Sequence, residues 1–302
     1  MYRKTWRGAI FSAVTLLLTL AVSSCAGVKA VVTSAAAPAA KPAKVALVLG
    51  AGASRGFAHI GVIKILEANK VPVHMVVGTS VGSFVGSLYA YGYNAYELQK
   101  IAIGIEKGDI ADIAIPDNGF IKGEKLEAYV NRTLRDTPME KLKIPFFAVA
   151  TNIQTGAETA FGKGNTGEAV RASCSIPGVF RPVVIGGQMY VDGGVVSPVA
   201  VDAARRQGAD VVICVDISSD LNTSQPDGTL ETILQSIDIM YREVSGAQTA
   251  RADVVIRPKV GYIKSGDFSK RHEAIMEGEK AASDAMPKIR EVMDRLKKEG
   301  RL

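Results

Sequence analysis

The sequence predicts an α/β fold: a single three-layer domain whose mostly parallel central sheet is flanked by helices. Three observations predict it. Residues 45–49 and 73–77 are short, continuous apolar runs, the pattern of strands buried on both faces. Each is followed by a glycine-rich turn and then a helical period. Strand–turn–helix therefore occurs twice in succession, which requires parallel strands joined by right-handed crossovers. Finally, no repeat and no second core separates along the 302 residues, although that length would also suit two domains.

The elements follow in order. After the first strand comes a Gly/Ala loop, Gly50 to Gly56, and a helix over 57–69 with Phe57, Ile60, Ile63 and Leu66 on one face. Val71-Pro72 ends it. The second strand runs into the sharp turn Gly78-Thr79-Ser80-Val81-Gly82 and a helix through Tyr91. Asn94 with Glu97 forms a capping-box signature for a helix to about Lys107. Further helices are expected at 123–135, 168–173, 199–207 and 230–250, and strands at 144–151, 211–215 and 254–256. Residues 158–161 with the turn 162–165 read as a small hairpin. Gly186-Gly187 between two apolar triplets signals another. The last helix, 270–298, is expected to kink or break at Pro287.

Residues 1–24 read differently. Arg3, Lys4 and Arg7 precede an apolar stretch with no acid, which is the form of an export signal. Val22-Ser23-Ser24-Cys25 resembles a bacterial lipobox. That resemblance implies cleavage before Cys25, lipidation of Cys25 and anchoring in a membrane. With Ala26 rather than Asp next, the implied destination is the periplasmic side of the outer membrane. Multiple acyl chains at about 0.8 kcal/mol per buried CH₂ would hold such an anchor stably. Residues 25–44 are then the lipidated cysteine and an Ala/Pro/Lys-rich tether, and 45–302 the folded domain.

The net charge is +6, but removing the three leader cations halves it. A charge of +3 over so long a chain is no nucleic-acid footprint, and the densest basic pair, Lys297–Lys298, suits a solvated helix end. No Ca²⁺ loop and no Cys/His cluster occurs, so no metal and no cofactor is expected. Cys174 and Cys214 lie in apolar surroundings and read as buried small hydrophobes. In an oxidising compartment they could also pair.

Three features carry chemistry. Ser80 occupies a GxSxG between a buried strand and a helix. Its small neighbours Gly78 and Gly82 permit a strained turn that exposes the hydroxyl at a helix N-terminus. The loop Gly50-Ala51-Gly52-Ala53-Ser54-Arg55-Gly56 can direct free backbone N–H groups at an anion. In acyl transfer they would form an oxyanion hole. A dinucleotide site would instead need an acid at the end of the second strand, where Gly78-Thr79-Ser80 stands. Asp192, followed by Gly193 and Gly194, is a carboxylate at a strand end. A tight turn at Ser80 and an Asp-Gly turn at 192 are the bland alternatives. Of the three histidines, His59 sits early in a helix and His74 begins a strand. Only His272 follows Asp192, and it lies in a polar stretch. The expected proton acceptor for Ser80 is therefore a carboxylate, Asp192.

These residues resemble the patatin-like phospholipase family. The matching stretches are 47–67, 77–86, 147–159, 171–182 and 191–198, in family order. The resemblance implies a Ser–Asp dyad: Ser80 as nucleophile and Asp192 as base, with Gly52 and Ala53, and Ala51 as a further candidate, as oxyanion donors. Arg55 matches the basic residue of the loop motif, and Gly78, Gly82 and Gly193 support the turns. The implied substrate is a phospholipid or other acyl ester. The family's three loop glycines are Ala51-Gly52-Ala53 here, so any of these positions with positive φ would strain an alanine. An ordinary Asp, pKa about 3.9, is a weak base, and partial burial is expected to raise it. A non-catalytic lipoprotein that binds acyl chains or proteins is the alternative.

Overall fold

The computed structural model describes residues 40–113, 119–218 and 226–302. The signal segment, Cys25 and most of the tether lie outside the described residues. The chain forms β1 (Val45–Leu49), α1 (Phe57–Ala68), β2 (Met75–Thr79), α2 (Val81–Tyr91), α3 (Ala95–Gly104), α4 (Lys107–Ile110) and α5 (Glu124–Thr133). It continues with β3 (Phe146–Asn152), β4 (Glu158–Phe161), α6 (Thr166–Ser173), β5 (Val183–Ile185), β6 (Gln188–Asp192), α7 (Val201–Arg206) and β7 (Val211–Val215). It ends with α8 (Thr229–Thr249), β8 (Val254–Ile256) and α9 (Arg271–Lys298).

The sheet has the order β5-β6-β3-β2-β1-β7-β8, with β4 also paired to β3. Strands β3, β2, β1, β7 and β8 run parallel; β6, in an antiparallel hairpin with β5, pairs with the end of β3 beyond β2, and β4 pairs along the other edge of β3. In β1 alternate residues serve opposite layers. Val45, Leu47 and Leu49 pack with α1, α2, α3 and α9, whereas Ala46 and Val48 pack with the small residues of α7. Burial on both faces explains the uninterrupted apolar strands. The expected three-layer α/β domain is the observed one.

Three local expectations are corrected. Residues 158–161 are a strand, but their hairpin partner is β3 upstream, with Thr151 opposite Glu158. Gly162 to Asn165 instead leads into α6, whose N-cap is Asn165 accepting the Glu168 N–H at 2.9 Å. The helix begun by the Asn94–Glu97 capping box stops at Gly104. Ile105 turns extended there, and Arg271 binds the carbonyls of Ala102, Ile103 and Ile105. Helix α9 continues through Pro287 without the break, the part of that expectation that is corrected. Its buried face lies along α1, so close that a Cβ on Gly278 would come within 2.0 Å of the Ala58 carbonyl oxygen. That packing outweighs one missing backbone hydrogen bond.

Candidate active site

Ser80 forms the corner between β2 and α2 with φ 55° and ψ −127°. A non-glycine residue there stores about 1–3 kcal/mol, so its surroundings must over-determine it. They do. The Ser80 N–H donates to Ser173 Oγ at 2.9 Å, and Ser173 Oγ donates to the Val149 carbonyl at 2.6 Å. The Ser80 carbonyl accepts from Ser83 N–H at 2.8 Å and Ser83 Oγ at 2.7 Å. The corner is also crowded. A Cβ on Gly78 would lie 2.4 Å from the Gly82 oxygen, and one on Gly82 would lie 2.0 Å from the Leu49 oxygen. Glycine at both positions lets the corner press against the end of β1.

The loop after β1 is held from several directions. Ala51 donates its N–H to the Pro198 carbonyl at 2.9 Å. It is therefore committed, and the expectation that Ala51 supplies an oxyanion donor is corrected. The N–H groups of Gly52 and Ala53 have no acceptor among the described residues. Ala53 has φ 49°, so the strain expected of an alanine in this loop falls on that residue. Arg55 is 1% exposed. Its Nε donates to the Ile217 carbonyl at 3.0 Å, Nη1 to the Ile263 carbonyl at 3.2 Å, and Nη2 to Asp238 Oδ1 of α8 at 2.6 Å. With its donors so engaged, Arg55 is a tie between the loop and α8 and not a free anion ligand.

Asp192 ends β6 opposite Ala150. Its N–H donates to the Ser175 carbonyl at 2.8 Å, and Thr151 Oγ1 donates to its carbonyl at 2.9 Å. Oδ1 accepts the Gly194 N–H at 2.7 Å. A Cβ on Gly193 would come within 2.1 Å of the Val149 oxygen, so the turn packs flat on β3. Burial is complete, not partial as expected. It pushes the carboxyl up to about 6, against the opposing pull of the Ser80 hydroxyl, the Gly194 N–H and the Tyr241 hydroxyl. Oδ2 has no hydrogen-bond partner among the described residues. Ser80 and Tyr241 are the hydroxyls close enough to act on the carboxylate.

Ser80 and Ala53 open onto a cavity of about 460 Å³. Its wall is almost entirely apolar and includes Phe57, Ile60, Phe84, Leu88, Leu98 and Val179. The size is that of a small-molecule site, and the lining suits a hydrocarbon chain.

A family model described as patatin-like phospholipase matches residues 47–205. The chain belongs to the patatin-like phospholipase family. Among its relatives are lysophospholipase nte1 of Aspergillus fumigatus, 32% identical over 76% of this chain, and patatin-like phospholipase domain-containing protein 6 of Mus musculus, 36% identical over 58%. The chain spans only 16% and 14% of their respective lengths. Among solved structures, VipD from Legionella pneumophila is similar in fold, with a TM-score of 0.54 at 12% identity over 84% of this chain and 68% of that one.

In this patatin-like domain none of the three histidines bonds to Ser80 or Asp192. His59 is fully buried, with Nε2 bonded to the Gly50 oxygen at 2.9 Å, and burial lowers its pKa to about 4. Its imidazole is therefore neutral and holds the loop. His74 Nδ1 accepts the Val45 N–H at 3.1 Å, and His272 is exposed on α9. Cys174 and Cys214 are both buried and unpaired, and Cys174 lines the cavity. Among the described residues no group of three His, Cys, Asp or Glu side chains could hold a metal. No described helix is long and apolar enough to cross a membrane. Sequence reasoning missed Ser173, Asp238 and Tyr241. Ser173 lies inside a stretch that carries the family resemblance, so a signal existed. The other two stand on α8, where nothing local marks them.

Proposed function

We propose that the chain is a serine lipid acyl hydrolase, acting as a phospholipase A, lysophospholipase or esterase through a Ser80–Asp192 dyad. One observation carries the reading. A strained serine lining an apolar cavity shares its surroundings with a buried carboxylate, and the adjoining loop offers two uncommitted N–H groups. In this mechanism the acyl chain enters the cavity and Ser80 Oγ attacks the ester carbonyl while Asp192 Oδ2 takes the hydroxyl proton. The Gly52 and Ala53 N–H groups stabilise the oxyanion. Asp192 then returns the proton to the leaving alcohol. A water molecule, deprotonated by Asp192, cleaves the acyl-enzyme and regenerates Ser80. An acid with a pKa near 6 is still ionised at neutral pH yet is a better base than an ordinary Asp, which is what general-base catalysis demands.

Fluorophosphonate labelling with hydrolysis of p-nitrophenyl esters and phospholipids tests the assignment. The native chain should label and turn over, and Ser80→Ala should do neither while melting within a few degrees of it. Labelling of Ser80→Ala at the native rate, or none of the native chain, overturns it. We further propose export as a lipoprotein anchored through Cys25 on the periplasmic side of the outer membrane. Globomycin should then cause an unprocessed precursor to accumulate. Normal processing in its presence removes the anchor from the proposal.

A further inference from the structure

We infer that Tyr241 is a positioning residue for Asp192: its hydroxyl donates to Oδ2, fixing the carboxylate and favouring its ionised form while the same oxygen receives the Ser80 proton. The inference deepens the hydrolase reading and rests on it. Tyr241 lies on α8, outside the segment 47–205 that the family model matches.

The geometry begins at Gly194. A Cβ there would lie 2.2 Å from Tyr241 Cζ and 2.4 Å from its hydroxyl oxygen, so the ring fills the space that glycine leaves open. The N–H of that same Gly194 binds Asp192 Oδ1. The phenol tip is thereby held beside the carboxylate. Two buried polar atoms there have no hydrogen-bond partner among the described residues, Asp192 Oδ2 and the Tyr241 hydroxyl. Leaving a buried donor and a buried acceptor both unmade is costly, and each is the obvious remedy for the other. The arm that carries Tyr241 is anchored independently: Asp238, one turn earlier on α8, holds the buried Arg55.

The hydroxyl groups that act on Asp192 from its surroundings are Ser80 and Tyr241; Asp192 in turn raises the buried Cys174 thiol, and Asp238 acts on Tyr241 from the same helix. Burial and the nearby Asp192 charge push the phenol well above its ordinary value, so Tyr241 stays protonated and can only donate to a carboxylate. A donor favours the charged acceptor. Removing it raises the pKa of Asp192.

Tyr241→Phe keeps the ring on Gly194 and deletes only the hydroxyl. Two measurements read its effect. The acid limb of kcat/KM for a p-nitrophenyl ester should move to higher pH by about one unit. Independently, in protein labelled with ¹³C at the aspartate carboxyl, the resonance absent from Asp192→Asn should titrate higher in Tyr241→Phe by the same amount. Identical carboxyl midpoints in Tyr241→Phe and the native chain overturn the inference, even if the variant is slower or less stable. The carboxyl titration stands without turnover, so an inactive native chain would defeat the hydrolase reading while the Tyr241–Asp192 contact was still decided.

Discussion

The two walls of the site are built in different ways. One wall consists of backbone turns at strand ends: the Ser80 corner, the Gly52–Ala53 loop and the Asp192-Gly193-Gly194 turn. The other is α8, which contributes side chains, namely Asp238 to Arg55 and Tyr241 to the surroundings of Asp192. The turn wall holds the proposed chemistry and stores cost in strained φ values at Ser80 and Ala53 and in a buried carboxylate. The helix wall holds the turns in place. Breaking the first should remove activity and spare or even raise stability. Breaking the second should lower stability and move the pH profile.

The largest effect separating the walls is expected from Asp192→Asn. Loss of a general base costs at least about 10²-fold in kcat/KM, whereas His272→Ala, at an exposed position, should stay within about threefold. Equal damage from both would transfer the base to a histidine. The same variant should gain stability at neutral pH. The folded pKa of Asp192, about 6, lies above its ordinary 3.8. Its contribution is therefore fully present below pH 3.8 and is lost as pH rises through about 6. Ionisation of this buried group then costs on the order of 3 kcal/mol at pH 7.5. Calorimetry should show Asp192→Asn melting several degrees higher at pH 7.5 and nearly level with the native chain at pH 4. A lower melting point at both values would mean the carboxylate is a structural partner. His59 has the opposite sign. Its folded pKa of about 4 lies below 6.5, so its stabilising contribution is lost as pH falls from 6.5 toward 4.

Asp238→Asn tests the helix wall. It leaves the Arg55 guanidinium, 2% exposed at its side chain, without its counter-charge. Breaking a buried pair on one side costs about 3 kcal/mol, readable as a lower urea midpoint at unchanged slope. Stability within about 0.5 kcal/mol of the native chain would show that the carbonyls of Ile217 and Ile263 suffice for Arg55.

The smallest effect returns to the turn wall. Ala53→Gly relieves a left-handed residue, worth about 1 kcal/mol, partly offset by the greater chain entropy of glycine. A gain of at most about 1 kcal/mol is expected, with turnover within about twofold because the N–H remains. A large loss of turnover would mean that the Ala53 methyl, and not only its N–H, shapes the cavity mouth.

The sequence alone determined the parallel strand–turn–helix order, the corner at Ser80, the loop and the acid at Asp192. Each is specified locally: apolar runs set strands buried on both faces, and glycine spacing sets where backbone can turn or approach closely. Limits shifted by a residue or two at β2, β3 and α7, as hydrogen bonding at element ends is weakly specified. Tertiary structure alone decided the rest. Ala51 and Ala53 look alike in sequence, but a carbonyl from residue 198 takes the N–H of Ala51 and leaves that of Ala53 free. Residues 158–161 could pair on either side, and the exposed edge of β3 drew them upstream. Pro287 signals a break that α1 overrides. Tyr241 and Asp238 read as ordinary residues of a long amphipathic helix. Their contacts lie 183 residues away for the Arg55–Asp238 pair, and no local pattern encodes which remote backbone a helix face will meet.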